Sequence, residues 1–224
     1  YGQLQYDRQS LRDAVGSTAI HTDRHLDNWN LSVSGDRRDS RGGTTVSLAL
    51  TSGKVAFDDA VAEASDAATA KTARRFSKWN LALARLHTLG AGTSLYATVS
   101  GQWASTNLDA SQKLSGGGPY GVRAYDAGTV SGDAGYSGSV ELRRDLGTVA
   151  GGRMQAQVFV DGARIKINQR RWIGVSGDNS VSLSGIGVGV NWTDGQQWQA
   201  RASIARPIGS EPDQAREPAS VRAW

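Results

Sequence analysis

Residues 95–104, LYATVSGQWA, place Leu95, Ala97, Val99, Gly101 and Trp103 on one side of an extended chain and Tyr96, Thr98, Ser100, Gln102 and Ala104 on the other. Side chains of a strand alternate with period two, so this segment predicts a strand with one apolar and one polar face. The pattern recurs at 154–161, where Met154, Ala156, Val158 and Val160 oppose Gln155, Gln157, Phe159 and Asp161. It recurs again at 197–204, with Trp198, Ala200, Ala202 and Ile204 against Gln197, Gln199, Arg201 and Ser203. A chain built this way forms sheets, and each sheet must hide its apolar face. A soluble sandwich hides it under a second sheet, whereas a membrane barrel turns it to lipid and lines its lumen with the polar face. Periodicity alone does not separate these.

Loop lengths do more. Strands are predicted near 1–11, 26–36, 43–52, 76–88, 93–105, 134–145, 152–164, 181–192 and 196–206, with a partial one at 218–224. Short turns (DRRDSRGG, LGAGT, LGTVAGG, TDGQ) then alternate with long connections at 12–25, 53–75, 106–133, 165–180 and 207–217. Strands running up and down across a bilayer, with short turns at one end and long loops at the other, produce this alternation; Greek-key crossovers do not. Trp79, Trp103, Trp192 and Trp198 fall near predicted strand ends, as amphipathic rings at two membrane interfaces would. Arg85 interrupts the pattern by sharing a face with Leu81 and Leu83, which calls for a bulge or a headgroup-level position. The Ala-rich segment 53–75 reads as a mobile surface loop, with a short helix as the alternative.

Composition is compatible with a barrel. Hydrophobic residues are 38% and mean hydropathy is -0.42, and there is no apolar run near the roughly 18 residues of a membrane helix; barrel strands need apolar character on one face only. The absence of Cys suits an oxidising compartment. A net charge of +4 raises nucleic acid as a partner, but Arg37, Arg38 and Arg41 mix with Asp36 and Asp39, and Arg143 and Arg144 lie between Glu141 and Asp145. No basic stripe with interleaved aromatics results, so no nucleic-acid partner is expected. The chain opens at Tyr1 without an export signal and reads as a fragment.

Chemistry concentrates at two places. LSGGGPYGVRAY, 114–125, is a Gly-rich connection carrying Arg123, and QVFVDG, 157–162, puts Phe159 and Asp161 on one strand face. The spacing suggests a loop folded inward and pinned by Arg123 to Asp161; the competing reading is two unrelated surface charges. Arg suits such a role through its permanent charge and planar fork. Glu141 faces the same way on the intervening strand and is placed to share the guanidinium, with Phe159 packing against the loop. His21 and His25 have helical ligand spacing but sit in a polar predicted loop, so no metal site is expected. Gly185, Gly187 and Gly189 lack the Lys-Ser/Thr of a phosphate loop and instead predict a smooth inward face. No cofactor motif is present, and no enzymatic activity is expected.

From residue 76 onward the sequence resembles the hemolysin-activator, or two-partner secretion, transporters. The resemblance rests on Gln102, Ala104, Asn107 and Leu108; on Gly-Gly before Val-Arg-x-Tyr, here Gly117, Gly118, Gly121, Val122, Arg123 and Tyr125; on Ser131, Gly132, Asp133 and Gly135 leading to Glu141 and Arg143; and on a Phe-x-Asp-x-Gly-like run with Phe159, Asp161 and Gly162. It is specific across 76–162 and extends in spacing over most of 26–206. Ala124 stands where the family has Gly, and Gln112 where it usually has Glu; the first matters only if the backbone there needs positive φ.

The resemblance implies an all-β fold: an antiparallel transmembrane barrel of sixteen strands, of which about ten fall in this chain. It assigns the loop-tip Arg and the strand Asp to a lock. It implies an outer-membrane pore of a Gram-negative bacterium that exports a large β-helical exoprotein, is surrounded by outer-membrane lipid and acts as a monomer, with a plug helix and POTRA domains outside this chain. Trp224 falls inside the last predicted strand, which therefore reads as truncated, leaving an open edge prone to aggregate. Competing readings are an outer-membrane assembly factor or porin, a soluble all-β adhesin or lectin-like domain, and a carbohydrate-active enzyme using Glu141 and Asp161.

Overall fold

The computed structural model describes residues 1–14, 21–209 and 221–224. The strands are β1 (Gly2–Ala14), β2 (His21–Asp39), β3 (Gly42–Phe57), β4 (Arg75–Gly90), β5 (Thr93–Ala104), a two-residue ribbon of β6 (Leu114–Ser115) and β7 (Ser131–Gly132), then β8 (Ala134–Val149), β9 (Gly152–Lys166), β10 (Ser180–Thr193), β11 (Gln199–Pro207) and β12 (Arg222–Ala223). Ten of them form one antiparallel sheet in the order β1-β2-β3-β4-β5-β8-β9-β10-β11-β12, and the ribbon stands apart. The sheet is open, with β1 and β12 each bonded to one neighbour among the described residues.

The predicted alternation holds. Val99, Val158 and Ile204 are 53%, 51% and 54% exposed, and among the described residues no second layer covers them, as a sandwich core would require. Register aligns Leu95, Leu142, Val158, Val188 and Ile204 into one apolar row across five adjacent strands. A continuous uncovered apolar surface of this kind marks contact with lipid or a partner. On the same side Trp29 pairs in register with Tyr6, their ring centroids 5.1 Å apart, and Trp79 pairs with Trp103. Trp79 and Trp103 lie toward the long-loop ends of their strands, while Trp192 and Trp198 mark the short-turn end, giving the two aromatic levels expected at bilayer interfaces.

The opposite face carries polar ladders: Asn30 to Thr51 at 3.1 Å, Asn80 to Gln102 at 2.9 Å, Ser100 with Ser137 at 2.8 Å and Asn191 to Gln157 at 3.0 Å. No bulge falls at Arg85 itself. It lies near the short-turn end of β4 on the apolar side and reaches Asp39 at 2.8 Å and Thr44 at 2.9 Å, whereas the register shift falls beyond it at Thr88/Gly90.

Several boundaries move. Segment 53–75 is not simply a mobile loop: β3 continues to Phe57, and a helix, α1, spans Ala60–Ala68. Alanine has the highest helix propensity, and Asp59 caps α1 by accepting the Val61 N–H at 3.0 Å. The segment is then fastened by Asp66, which accepts the N–H groups of Thr72 and Ala73 and the Thr72 hydroxyl. Residues 12–14 and 21–25 belong to β1 and β2 instead of a loop, so His21 and His25 lie on a strand without helical spacing. Their polar composition hid strands that continue past the apolar band. Residues 15–20 and 210–220, within the predicted connections 12–25 and 207–217 and the start of the partial strand, lie outside the described residues.

Candidate functional site

The long connection after β5 turns back against the polar face. Its first part makes a 3₁₀ turn, Ala110–Gln112, capped by Asp109, and the β6/β7 ribbon then carries a tip spanning 116–130. The tip is folded on itself, with Val122 N–H donating to Gly116 O at 2.9 Å and Gly118 N–H to Tyr125 O at 2.8 Å. The predicted loop glycines are required by this crossing. A Cβ on Gly117 would lie 2.2 Å from Asp126 O and one on Gly121 2.7 Å from Gly116 O, while Gly118 has φ +101.

Arg123, at the tip, is 9% exposed and Asp161, on β9, is 1% exposed. The Asp161 carboxylate accepts Arg123 Nε at 2.9 Å and Nη2 at 2.8 Å, a two-pronged pairing, and also the Arg123 backbone N–H at 3.0 Å. Arg123 Nη1 lies 2.8 Å from Glu141 Oε1 on β8, and Nη2 donates to Ser139 at 3.0 Å. The guanidinium carbon stacks 3.3 Å from the Phe159 ring centroid. Burial alone would lower the Arg123 pKa, but the hydrogen bonds and charges of Asp161 and Glu141 outweigh it and hold the value above normal. Glu141 is itself shared: Arg143 reaches its Oε2 at 2.6 Å and stacks on Tyr96. The buried charges are thus paired and hydrogen-bonded, the condition under which burial is tolerated.

An apolar patch surrounds the ion pair. Val122, Ala124, Tyr125 and Val130 of the loop pack with Phe159, Ala163 and Ile165 of β9 and Val181 and Leu183 of β10. Fully burying a side chain such as Val122 or Phe159 stabilises by about 1.5–3 kcal/mol. The inward face of β10 is indeed smooth: a Cβ on Gly185 would sit 2.6 Å from that of Ala124, so the loop lies where only glycine leaves room. Ala124 is absent from the residues with positive φ, so its methyl group costs nothing in backbone strain.

Of the predicted set, Val122, Arg123, Tyr125, Glu141, Phe159 and Asp161 come together, with Gly117, Gly118 and Gly121 shaping the tip. Gly162 does not join them. It alternates to the other face of β9, pairs with Gly138 and Ser184, and its Cβ would meet only Leu183 O at 4.0 Å.

Sequence reasoning gave no role to a second cluster at the loop base. Asp133 is 0% exposed and accepts Leu108 N–H at 3.0 Å and Gln169 N–H at 2.6 Å, with Lys113 Nζ at 3.3 Å. Gln102 donates to the carbonyls of Gln112 and Asp133. Asn107 donates to Ala70 O and Arg170 O and accepts Arg170 N–H, joining three long connections at the outer rim. Gln102, Asn107, Leu108 and Asp133 stood in the quoted motifs, so the signal was present without its mechanism. Among the described residues no cluster of His, Asp and Glu is arranged to hold a metal.

A sequence model of the family described as haemolysin secretion/activation protein ShlB/FhaC/HecB matches residues 3–192. The heme/hemopexin transporter protein HuxB of Haemophilus influenzae strain 86-028NP is 24% identical over 95% of this chain and 38% of its own length; another Haemophilus influenzae HuxB is 25% identical over 92% and 37%. The chain therefore spans well under half the length of these relatives. Among solved structures, CdiB from Escherichia coli superposes over 99% of this chain and 49% of its own with a TM-score of 0.63 at 16% identity, and CdiB from Acinetobacter baumannii over 99% and 46% with 0.51 at 18%. These two likenesses show the fold.

Proposed function

This chain belongs to the family of haemolysin secretion/activation proteins ShlB/FhaC/HecB, and from that premise we propose that it forms part of an outer-membrane pore that exports a protein partner. Residues 1–224 are the C-terminal part of the barrel wall, with the connection of about 106–133 folded inward. The remaining strands, the plug helix and the POTRA domains lie elsewhere in the whole protein. The cargo is a large β-helical exoprotein, the location is the outer membrane of a Gram-negative bacterium, and the pore works as a monomer surrounded by lipid.

One observation carries the reading. A buried Arg123–Asp161 pair at 2.8 Å tethers a loop within a polar concave face whose other side is apolar. A loop held there narrows the lumen and presents its own polar groups along the path of an extended polypeptide. In this reading, movement draws on contacts along the polar wall and on folding of the cargo outside.

The test is export of the exoprotein encoded beside the transporter gene. Deleting the transporter abolishes appearance of that protein in the medium, and the intact gene restores it. Export that persists in the deletion strain, or a barrel that passes only small solutes, overturns the proposal in favour of a porin.

A further inference from the structure

We propose that the loop is gripped from a second side, by the last strand, through Trp224 and Arg222. Both side chains point to the concave face, two residues apart on and beside β12. Trp224 Nε1 donates to the backbone carbonyl of Arg123 at 2.6 Å, and Arg222 Nη2 lies 2.9 Å from Asp126 Oδ2. Trp224 is fixed in turn by a reciprocal pair of 2.9 Å backbone bonds with Ser203 of β11.

Arg123 is therefore held by both of its backbone groups as well as its side chain. Its N–H goes to Asp161 on β9 and its carbonyl to Trp224, three places further along the sheet order. Between these anchors Ala124 rests on Gly185 of β10. The tip is a strut across β8, β9, β10 and β12, and a displacement of β12 relative to β9 pulls on the same residue that forms the buried ion pair. Trp224 and Arg222 are positioning residues in this scheme: they set where the loop lies and couple it to the position of β12.

This inference rests on the reading that the pinned loop bears on transport, and the experiment separates the two. The full-length transporter is reconstituted in lipid bilayers, and amide exchange is followed over 116–126 for Trp224→Phe, Arg222→Glu, Asp126→Arg and the double exchange R222E/D126R. Heat-modifiable gel mobility checks that each barrel is folded. Trp224→Phe keeps the ring and deletes the donor, so loop exchange rises about twofold to tenfold, the effect of one neutral hydrogen bond. Arg222→Glu and Asp126→Arg each raise it, and the double exchange brings it back toward wild type, which a general loss of structure would not do. Wild-type exchange in Trp224→Phe, or no recovery in the double exchange, overturns the latch. A loosened loop with undiminished export upholds the latch and overturns the transport role of the loop.

Discussion

Replacing Arg123 with Ala isolates the energetics of the tethered loop. Asp161 is 1% exposed and, among the described residues, accepts three hydrogen bonds from Arg123; the substitution removes the 2.9 and 2.8 Å side-chain bonds and keeps the backbone N–H at 3.0 Å. Stranding a buried charge costs about 3–5 kcal/mol, a hundredfold to several-thousandfold shift toward any state in which Asp161 meets water. Glu141 is spared, because Arg143 still holds it at 2.6 Å. Asp161→Ala is milder, since Arg123 keeps Glu141 at 2.8 Å and Ser139 at 3.0 Å. The double variant should therefore be less impaired than the sum of the singles, the mark of a direct pair. The assay is export of the cognate exoprotein by the full-length transporter, with amide exchange of the loop and heat-modifiable mobility alongside. Export falls and the loop loosens in both singles while barrel insertion persists. Wild-type export by both, or costs that add without coupling, would refute the reasoning.

Other substitutions probe the surroundings. Gly185→Val places a side chain 2.6 Å from the Ala124 methyl group and should undock the loop, seen as faster exchange over 116–126 in a barrel that still inserts. Asp133→Ala leaves the N–H groups of Leu108 and Gln169 without their acceptor, at about 1–3 kcal/mol for each that stays buried; exchange at those two amides should rise before that at Val122. Ala124→Gly, which relieves no strain because Ala124 lacks positive φ, should leave export unchanged. Val158→Lys, on the outward row, should destabilise the inserted barrel by about 2–4 kcal/mol near mid-bilayer, whereas Ser100→Lys on the polar face should insert normally, as read by urea titration in bilayers.

Strand faces and hairpin polarity were legible because they depend on local periodicity and spacing. Val99 and Val158 are outward and Asp161 inward simply because side chains alternate. Strand ends were harder: Thr22, Asp23, Arg24 and His25 carry no apolar signal, yet they continue β2 because hydrogen-bonded pairing with β1 persists through Asp13↔Thr22. Helix α1 was named only as the alternative to a mobile loop, because its Ala content and Asp59 cap are not decisive in a nine-residue segment. The ion pair was suggested by spacing but needed the family likeness to be preferred over independent surface charges. Asn107, Asp133 and Trp224 act across 25 to 101 residues of sequence, and no local pattern encodes such partners. Gly162 was misassigned because a motif was read as a unit when alternation already put it on the other face.

Spin labels placed singly at residues 95 through 101 of the full-length transporter in bilayers test the central claim most directly. Collisions with oxygen, which concentrates in hydrocarbon, should peak at Leu95, Ala97, Val99 and Gly101, and collisions with a water-soluble nickel chelate at Tyr96, Thr98 and Ser100. Uniform protection from both reagents, or oxygen contact without a two-residue period, would contradict a lipid-facing wall around a hydrated interior.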